Sequence, residues 1–399
     1  MSDSTPGQAI CMESTATTVR ANKRVGKWRA VAGAVLAATV VACMVFSVVH
    51  RRGTQDRDRH LSEGQSLFER RQFESALAEF SEAIRLDPTC ALAYANRASV
   101  YFNRGEWQSA LDDCNRALEV DPHLVVGYAN RAGVYLNRGE LDCAIADCNS
   151  ALELDPQTAL ALANRGAAQL NKGNLDEAIA DSSRALELDP QSSLAFANRG
   201  AAYFNKGDFD RTIADCSLAI ANDPSLALAY LNRAAAFLGK GDNEGAIADC
   251  SQTLRLDPTL ARAFALRGTA YFNKGNDLQT IEDSDAALQH DPSLTFVYVN
   301  RGLAQLRLGD SEKALQNFND AIEREPRLAM AYVYRAAIHL GTGASKQVIA
   351  DCTRALELDS HLALAYWNRG LAYSLEGDRD RANADQNKAR ELDPSFGQP

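Results

Sequence analysis

Cysteine, histidine and carboxylate side chains are the groups in this sequence that could catalyse a reaction or bind a metal ion. The nine cysteines include no Cys-x-x-Cys pair, and the six histidines share no common spacing. Motifs of serine hydrolases, zinc proteases and phosphate-binding loops are absent from the sequence. A net charge of −10 opposes binding to nucleic-acid phosphates. We therefore predict no enzyme activity and no cofactor, metal, small-molecule substrate or nucleic-acid partner.

Five of the cysteines are separated by multiples of 34 residues and so belong to a repeat. They are Cys114, Cys148, Cys216, Cys250 and Cys352. We interpret them as small core residues, with a redox or metal-binding role as the alternative. An acid-proline pair recurs with the same period, from Asp87-Pro88 to Asp393-Pro394. Counting by this period gives ten repeats: 57–90, 91–124, 125–158, 159–192, 193–226, 227–260, 261–294, 295–328, 329–362 and 363–396.

Within a repeat, apolar residues at helical spacing indicate two helices joined by a turn. In the third repeat we predict helices over residues 125–137 and 140–154, separated at Gly139. Pro156 follows the second helix, and the residue before a proline disfavours helical geometry. Small residues recur at repeat positions 8, 20 and 27, aromatic residues at positions 4 and 11, and proline at position 32. In these features the sequence resembles the tetratricopeptide repeat.

This resemblance covers residues 57–396. It implies an all-α fold: a right-handed superhelical solenoid of ten 34-residue helix-turn-helix repeats, whose first helices line a concave groove. Members of the family mostly bind other proteins, so we expect a protein–protein interaction scaffold with a protein or peptide partner. The alternative is a structural spacer, or an assembly subunit of a membrane complex, without a ligand in the groove.

An uncharged stretch of twenty residues, 30–49, follows a basic segment near the amino terminus. Because a helix rises about 1.5 Å per residue, this stretch would span about 30 Å, the thickness of a bilayer core. We predict a polar and basic tail over 1–29, a transmembrane helix over 30–49 that contacts the lipid bilayer, and a linker over 50–56. The balance of flanking basic residues slightly favours repeats on the extracytoplasmic side. A lipoprotein-like sequence ending at Cys43 is the alternative form of attachment.

Arginine at position 7 and aspartate at position 23 depart from the family pattern, in which position 7 is usually leucine. Folding the repeat about its turn brings the two positions level with each other. Arginine binds a carboxylate through two parallel hydrogen bonds, so we predict half-buried structural ion pairs, with solvent-facing side chains as the alternative. The pairs are Arg131 with Asp147, Arg165 with Asp181, and Arg199 with Asp215.

Two rows of asparagine on the first helices form the predicted peptide-binding groove. An amide donates and accepts hydrogen bonds, so it suits the backbone of an extended peptide. Position 6 is Asn96, Asn130, Asn164, Asn198, Asn232, Asn300 and Asn368, and position 13 is Asn103, Asn137, Asn171, Asn205 and Asn273. The first row resembles the asparagine ladder of O-linked N-acetylglucosamine transferase; a bridge between adjacent repeats is the alternative role. Towards the carboxyl terminus the face turns apolar, and we predict Tyr334 and Trp367 as anchors beside Val333.

Overall fold

The computed structural model describes residues 53–396, and all regular secondary structure in this range is helical. Twenty helices follow one another there, beginning with α1 over residues 53–69. The others are α2 Phe73–Leu86, α3 Ala91–Asn103, α4 Trp107–Val120, α5 Val125–Asn137, α6 Leu141–Leu154, α7 Ala159–Asn171, α8 Leu175–Leu188, α9 Ser193–Asn205, α10 Phe209–Asn222, α11 Ala227–Gly239, α12 Asn243–Leu256, α13 Ala261–Asn273, α14 Asp277–His290, α15 Thr295–Arg307, α16 Ser311–Arg324, α17 Ala329–Gly341, α18 Ser345–Leu358, α19 Ala363–Leu375 and α20 Arg379–Leu392.

Local signals in the sequence determine where these helices begin and end. In the fifth repeat α9 begins after Ser192, whose side chain accepts a hydrogen bond from the backbone N–H of Ala195. α10 begins after Asp208, which accepts one from the backbone N–H of Arg211. The residue after α10 is extended because Pro224 follows it.

A glycine turns the chain between the two helices of each repeat after the first. Gly207, for example, has a φ of +78°, a conformation that costs an L-residue free energy because its Cβ approaches the backbone. In the first repeat Arg71 occupies the equivalent position and adopts a φ of +58°. The turn geometry is therefore the same in all the repeats, whether or not glycine is present.

Small side chains let the two helices of a repeat pack closely. A Cβ added at Gly200 of α9 would lie 3.0 Å from Sγ of Cys216 on α10, a contact so tight that the neighbouring side chain would have to shift. Cys216 and its neighbour Ala219 are fully buried. The core of the described chain is accordingly built mostly from alanine, with a fully buried cysteine at position 24 of several repeats.

The helices form two compact units that divide between Pro156 and Gln157. In the amino-terminal unit, Phe80 and Val100 are buried together between α2 and α3. In the carboxy-terminal unit, Val333 and Val348 are buried in a cluster that continues into α19. Within each unit, stacked repeats bury one another's helices.

The predicted transmembrane helix over residues 30–49 lies outside the described residues, as do the predicted tail and Cys43. None of the helices between residues 53 and 396 combines the length and the apolar composition that a bilayer crossing requires. Membrane attachment therefore stays a prediction from the sequence.

Candidate ligand-binding face

Each predicted ion pair joins the two helices of one repeat. Nε of Arg131 donates to Oδ2 of Asp147 over 2.7 Å, and Nη2 donates to Oδ1 over 2.8 Å. Asp147 is buried, and 20% of the arginine side chain is exposed. The hydrogen bonds from Arg131 to the carboxylate raise the pKa of the guanidinium. The same bidentate contact occurs in Arg97–Asp113, Arg165–Asp181, Arg199–Asp215, Arg233–Asp249, Arg267–Asp283, Arg335–Asp351 and Arg369–Asp385.

The arginine also links its repeat to the preceding one. Nη1 of Arg233 donates to Oγ of Ser217, at position 25 of the preceding repeat, over 2.9 Å. Its guanidinium carbon lies 5.8 Å from the ring centre of Tyr230, within the range of a cation–π contact. One side chain thus connects two helices of its own repeat and a third helix, which makes this arginine part of the scaffold.

The eighth repeat keeps a carboxylate beside its arginine in a different place. Asn317 replaces the aspartate at position 23, and Nε of Arg301 donates to its Oδ1 over 2.9 Å. Nη1 of Arg301 donates to Oδ1 of Asp285, at position 25 of the preceding repeat, over 2.5 Å. The charge has moved from one neighbour of the guanidinium to the other, so the arginine remains paired.

The position-6 asparagines lie in the seam between successive first helices. Asn198 is 5% exposed, and its Nδ2 donates to the carbonyl oxygen of Ala163 in α7 over 3.0 Å. In the amino-terminal unit, Nδ2 of Asn130 donates to the carbonyl oxygen of Ala95 and to Oγ of Ser99. In these two members the amide donor is used between repeats, as in the alternative role of a bridge. A ligand-binding role for the position-6 row stays a prediction.

Other members of this row are similarly placed. Nδ2 of Asn300 donates to Oγ1 of Thr269 in the preceding first helix over 3.1 Å. Asn164 and Asn368 are buried, and Asn96 is half-buried. Buried Nδ2 atoms of two members have no hydrogen-bond partner within the described residues: those of Asn232 and Asn368. Position 6 is in the middle of the helix, where successive first helices touch, and this explains the burial.

The position-13 asparagines, by contrast, are exposed. Each is the last residue of its helix, beyond the contact between first helices. Asn103 and Asn137 donate to the carbonyl oxygen four residues earlier, and Asn273 donates to an asparagine of the preceding repeat. Asn171 and Asn205 make no side-chain hydrogen bond within the described residues. The free amides at position 13 are therefore those of Asn171 and Asn205, in the carboxy-terminal unit.

Position 2, which the sequence places on the groove face of the first helix, carries exposed apolar side chains in several repeats. Leu160 is 42% exposed, Leu228 46% and Phe296 43%. At 100° per residue, positions 2, 9 and 13 fall within about 40° of one another around the helix. We call the surface formed by these positions in α7, α9 and α11 the first-helix stripe: Leu160, Ala167 and Asn171; Leu194, Ala201 and Asn205; Leu228, Ala235 and Gly239.

The predicted aromatic anchors are partly engaged by their own chain. Val333 is fully buried and faces the core, so it cannot contact a ligand. The ring centre of Tyr334 lies 5.6 Å from that of Phe318. Trp367 lies 5.4 Å from Phe396, between ring centres, and the guanidinium carbon of Arg390 is 5.6 Å from its ring centre. A ligand-binding role for the two aromatic residues stays a prediction.

The repeated cysteines are buried thiols of low reactivity. Cys114, Cys216, Cys250 and Cys352 are fully buried, and burial raises the pKa of each thiol to about 12. The thiolate is the form that attacks electrophiles and binds metals, and it is disfavoured here. Among residues 53–396 no cluster of three histidine, cysteine or carboxylate side chains could hold a metal ion.

Family profiles for the tetratricopeptide repeat match residues 61–124, 198–261 and 299–361, and also 126–158 and 363–396. A profile described as TPR repeat matches residues 170–207. The chain is a tetratricopeptide repeat protein. Domains of this family are typically protein–protein interaction scaffolds and usually non-catalytic. Among curated proteins, none matches this tetratricopeptide repeat chain.

Solved structures of other tetratricopeptide repeat proteins resemble this one. A repeat protein from Parabacteroides merdae ATCC 43184 is 21% identical, with a TM-score of 0.45, over 63% of this chain and 99% of that one. YrrB, described as a TPR protein with an unusual peptide-binding site, is 20% identical, with a TM-score of 0.39, over 46% and 95%. Yeast Tom70 is 17% identical, with a TM-score of 0.38, over 86% of each chain.

Proposed function

We propose that this protein is a membrane-anchored scaffold that holds an extended segment of a partner protein on the first-helix stripe. The observation that carries this proposal is the leucine row, with Leu160 and Leu228 exposed and Leu194 half-buried between them, beside the exposed amides of Asn171 and Asn205. Leucine side chains bury apolar surface of a ligand, and amides bond to its backbone. A spacer without a ligand has no need of an aligned apolar row open to solvent.

Two exposed leucines provide a matched test of this surface. Leu228 of the stripe is 46% exposed, and Leu218 of α10, outside the stripe, is 48% exposed. The full-length protein would be captured from its own membranes in mild detergent, with bound proteins quantified by mass spectrometry. Leu228→Asp places a charge in the apolar row, so we expect at least a tenfold loss of specific partners, about 1.4 kcal/mol or more. Leu218→Asp serves as the control and leaves capture unchanged.

Equal capture by the parent and both leucine variants would contradict the scaffold and favour the spacer. Equal loss in both would point to a general effect of the added charge. Far-ultraviolet circular dichroism of each variant shows whether the helices are retained, so that a folding defect is recognised directly.

Residues 30–49 provide the membrane anchor in this proposal, with the repeats on the extracytoplasmic side. Full-length protein should resist extraction by alkaline carbonate, whereas a variant lacking residues 30–49 should enter the soluble fraction. Cys43→Ser is the control, because it removes a lipidation site and leaves a transmembrane helix intact. Release of the parent protein by carbonate would contradict the anchor, and release of Cys43→Ser alone would indicate lipidation.

Protease added to intact cells tests the orientation, since extracytoplasmic repeats are digested.

A further inference from the structure

The spacing of the first-helix stripe indicates which backbone conformation its ligand must have. Leu160, Leu194 and Leu228 occur once per repeat, on α7, α9 and α11. Successive first helices touch, as the 3.0 Å hydrogen bond from Asn198 to the carbonyl oxygen of Ala163 shows. Packed helices lie about 8–10 Å apart. A ligand that crosses the helices therefore meets an equivalent leucine about every 8–10 Å.

A polyproline II chain has the matching period. It rises about 3.1 Å per residue with three residues per turn, so every third side chain points the same way, about 9.3 Å from the last. A β-strand presents the same side at every second residue, about 6.6–6.8 Å apart. Side chains of a strand would therefore drift out of step with the leucine row after one repeat.

The exposed amides distinguish polyproline II from a helical ligand. An α-helix also repeats a face about every 10.5 Å, at seven residues, but its backbone groups are hydrogen-bonded internally. A polyproline II chain leaves its N–H and C=O groups unpaired, and Asn171 and Asn205 offer free amides. The leucine and amide rows are eleven residues apart, about 16 Å along each helix. The small side chains of Ala167 and Ala201 lie between them and leave room for a ligand backbone.

Charge along the stripe indicates which group a ligand should carry beyond its apolar side chains. All nine residues of the stripe are uncharged, in a protein of net charge −10. At position 2 of the next first helix, α13, the leucine is replaced by Arg262. This arginine is exposed, and no ion pair or hydrogen bond of its side chain occurs in the described part of the chain. A carboxylate one ligand turn beyond the third apolar side chain would complement it.

We propose that the first-helix stripe binds a polyproline II segment with an apolar side chain at every third position over three turns and a carboxylate one turn further, facing Arg262. The proposal rests on the scaffold function and specifies the class of peptide that the scaffold accepts. Arg262 fixes the register, because sliding the ligand by one turn would move its carboxylate away from the guanidinium onto a leucine.

Synthetic peptides test this proposal with the full-length protein in detergent. One labelled peptide of about ten residues carries three Leu-Gln-Pro triplets and a terminal Glu, made in both chain directions. A second has the same composition, with leucines at alternate positions. We expect the triplet peptide, in its better direction, to bind at least tenfold more tightly by fluorescence anisotropy. Leu228→Asp should abolish this preference, and Leu218→Asp should preserve it.

A cycle of substitutions tests the carboxylate. Arg262→Gln should weaken the Glu-containing peptide about twofold to fivefold, the usual size for an exposed ion pair, and leave a Gln-containing peptide unchanged. An equal effect on both peptides would overturn the assignment of the carboxylate.

Equal affinity for the triplet and alternating peptides would overturn the polyproline II proposal. If both then lost affinity in Leu228→Asp, the scaffold function would still stand, because the stripe would bind extended chains of any period. Absence of binding by any triplet peptide would likewise overturn the inference, while capture of native partners would decide the scaffold function separately.

Discussion

Asp249→Ala is expected to destabilise the carboxy-terminal unit by about 3–5 kcal/mol, because it leaves the guanidinium of Arg233 half-buried without its bidentate partner. In the structure Arg233 donates to both carboxylate oxygens of Asp249, at 2.7 and 2.9 Å, and those hydrogen bonds raise the pKa of the arginine. Urea denaturation followed by circular dichroism measures the loss, and hydrogen exchange of α11 and α12 locates it. If Asp249→Ala and the parent protein had the same free energy of unfolding, the ion pair would contribute little to stability.

Asp210 provides the matched control for this experiment. It forms an ion pair of similar length with Lys240, at 2.5 Å, but its side chain is 82% exposed. Exposed pairs are worth about 0–1 kcal/mol, because water and salt screen them. Asp210→Ala should therefore unfold at nearly the same urea concentration as the parent protein. The comparison separates the effect of burial from that of losing one negative charge.

The eighth repeat suggests how the loss can be reversed. Asp249→Asn should cost about 1.5–3 kcal/mol, the usual contribution of a hydrogen bond to a charged group. Adding Ser217→Asp recreates the arrangement in which Arg301 contacts Asn317 and Asp285. We expect the double variant to recover at least half of the lost stability. No recovery would mean that the position of the carboxylate, and not only its charge, is essential.

Thiol labelling gives the second large effect. Burial raises the pKa of Cys216 and Cys250 to about 12, about three units above an ordinary thiol, so their thiolate fraction near neutral pH falls about a thousandfold. Cys143 is exposed and serves as the internal control. Iodoacetamide labelling followed by peptide mass spectrometry should modify Cys143 on the order of a thousandfold faster, until urea unfolds the repeats. Comparable rates in the native protein would contradict the buried, structural role.

The raised pKa of these thiols predicts that the folded protein loses stability at high pH. A thiol whose pKa is raised by folding stays protonated in the folded state after the unfolded chain has lost its proton. Its contribution is complete below about pH 9 and disappears as the pH rises towards 12. The free energy of unfolding should therefore fall from about pH 9 upward, and less steeply in a Cys216→Ala, Cys250→Ala variant.

Features within one repeat could be predicted from the sequence. The helix predicted over 125–137 has the bounds of α5, and the second helix begins at Leu141 because Glu140 occupies the N-cap position. The position of Arg131 opposite Asp147 can be predicted by folding one repeat about its turn. Both features depend on local signals, a glycine turn and a proline, that recur every 34 residues.

Features between repeats could not be predicted in the same way, because they depend on the angle at which one repeat packs on the next. The contact of Arg131 with Asn115, and of Asn198 with Ala163, crosses from one repeat to another. A periodic pattern therefore places the position-6 asparagines on the ligand face but does not show that Asn130 and Asn198 donate to the preceding repeat. Trp367 similarly packs on Phe396 at the end of the last repeat, a contact that no periodic pattern indicates.

Site-specific photocrosslinking tests most directly whether a partner occupies the first-helix stripe. A benzophenone amino acid would replace Leu228 in one full-length protein and Leu218 in another, because the two leucines are about equally exposed, at 46% and 48%. After irradiation in native membranes, we predict that the Leu228 position forms crosslinks to a partner protein, mapped by mass spectrometry to one extended segment, and that the Leu218 position does not. Crosslinks from Leu218 alone, or the same products from both positions, would contradict a ligand held on this surface.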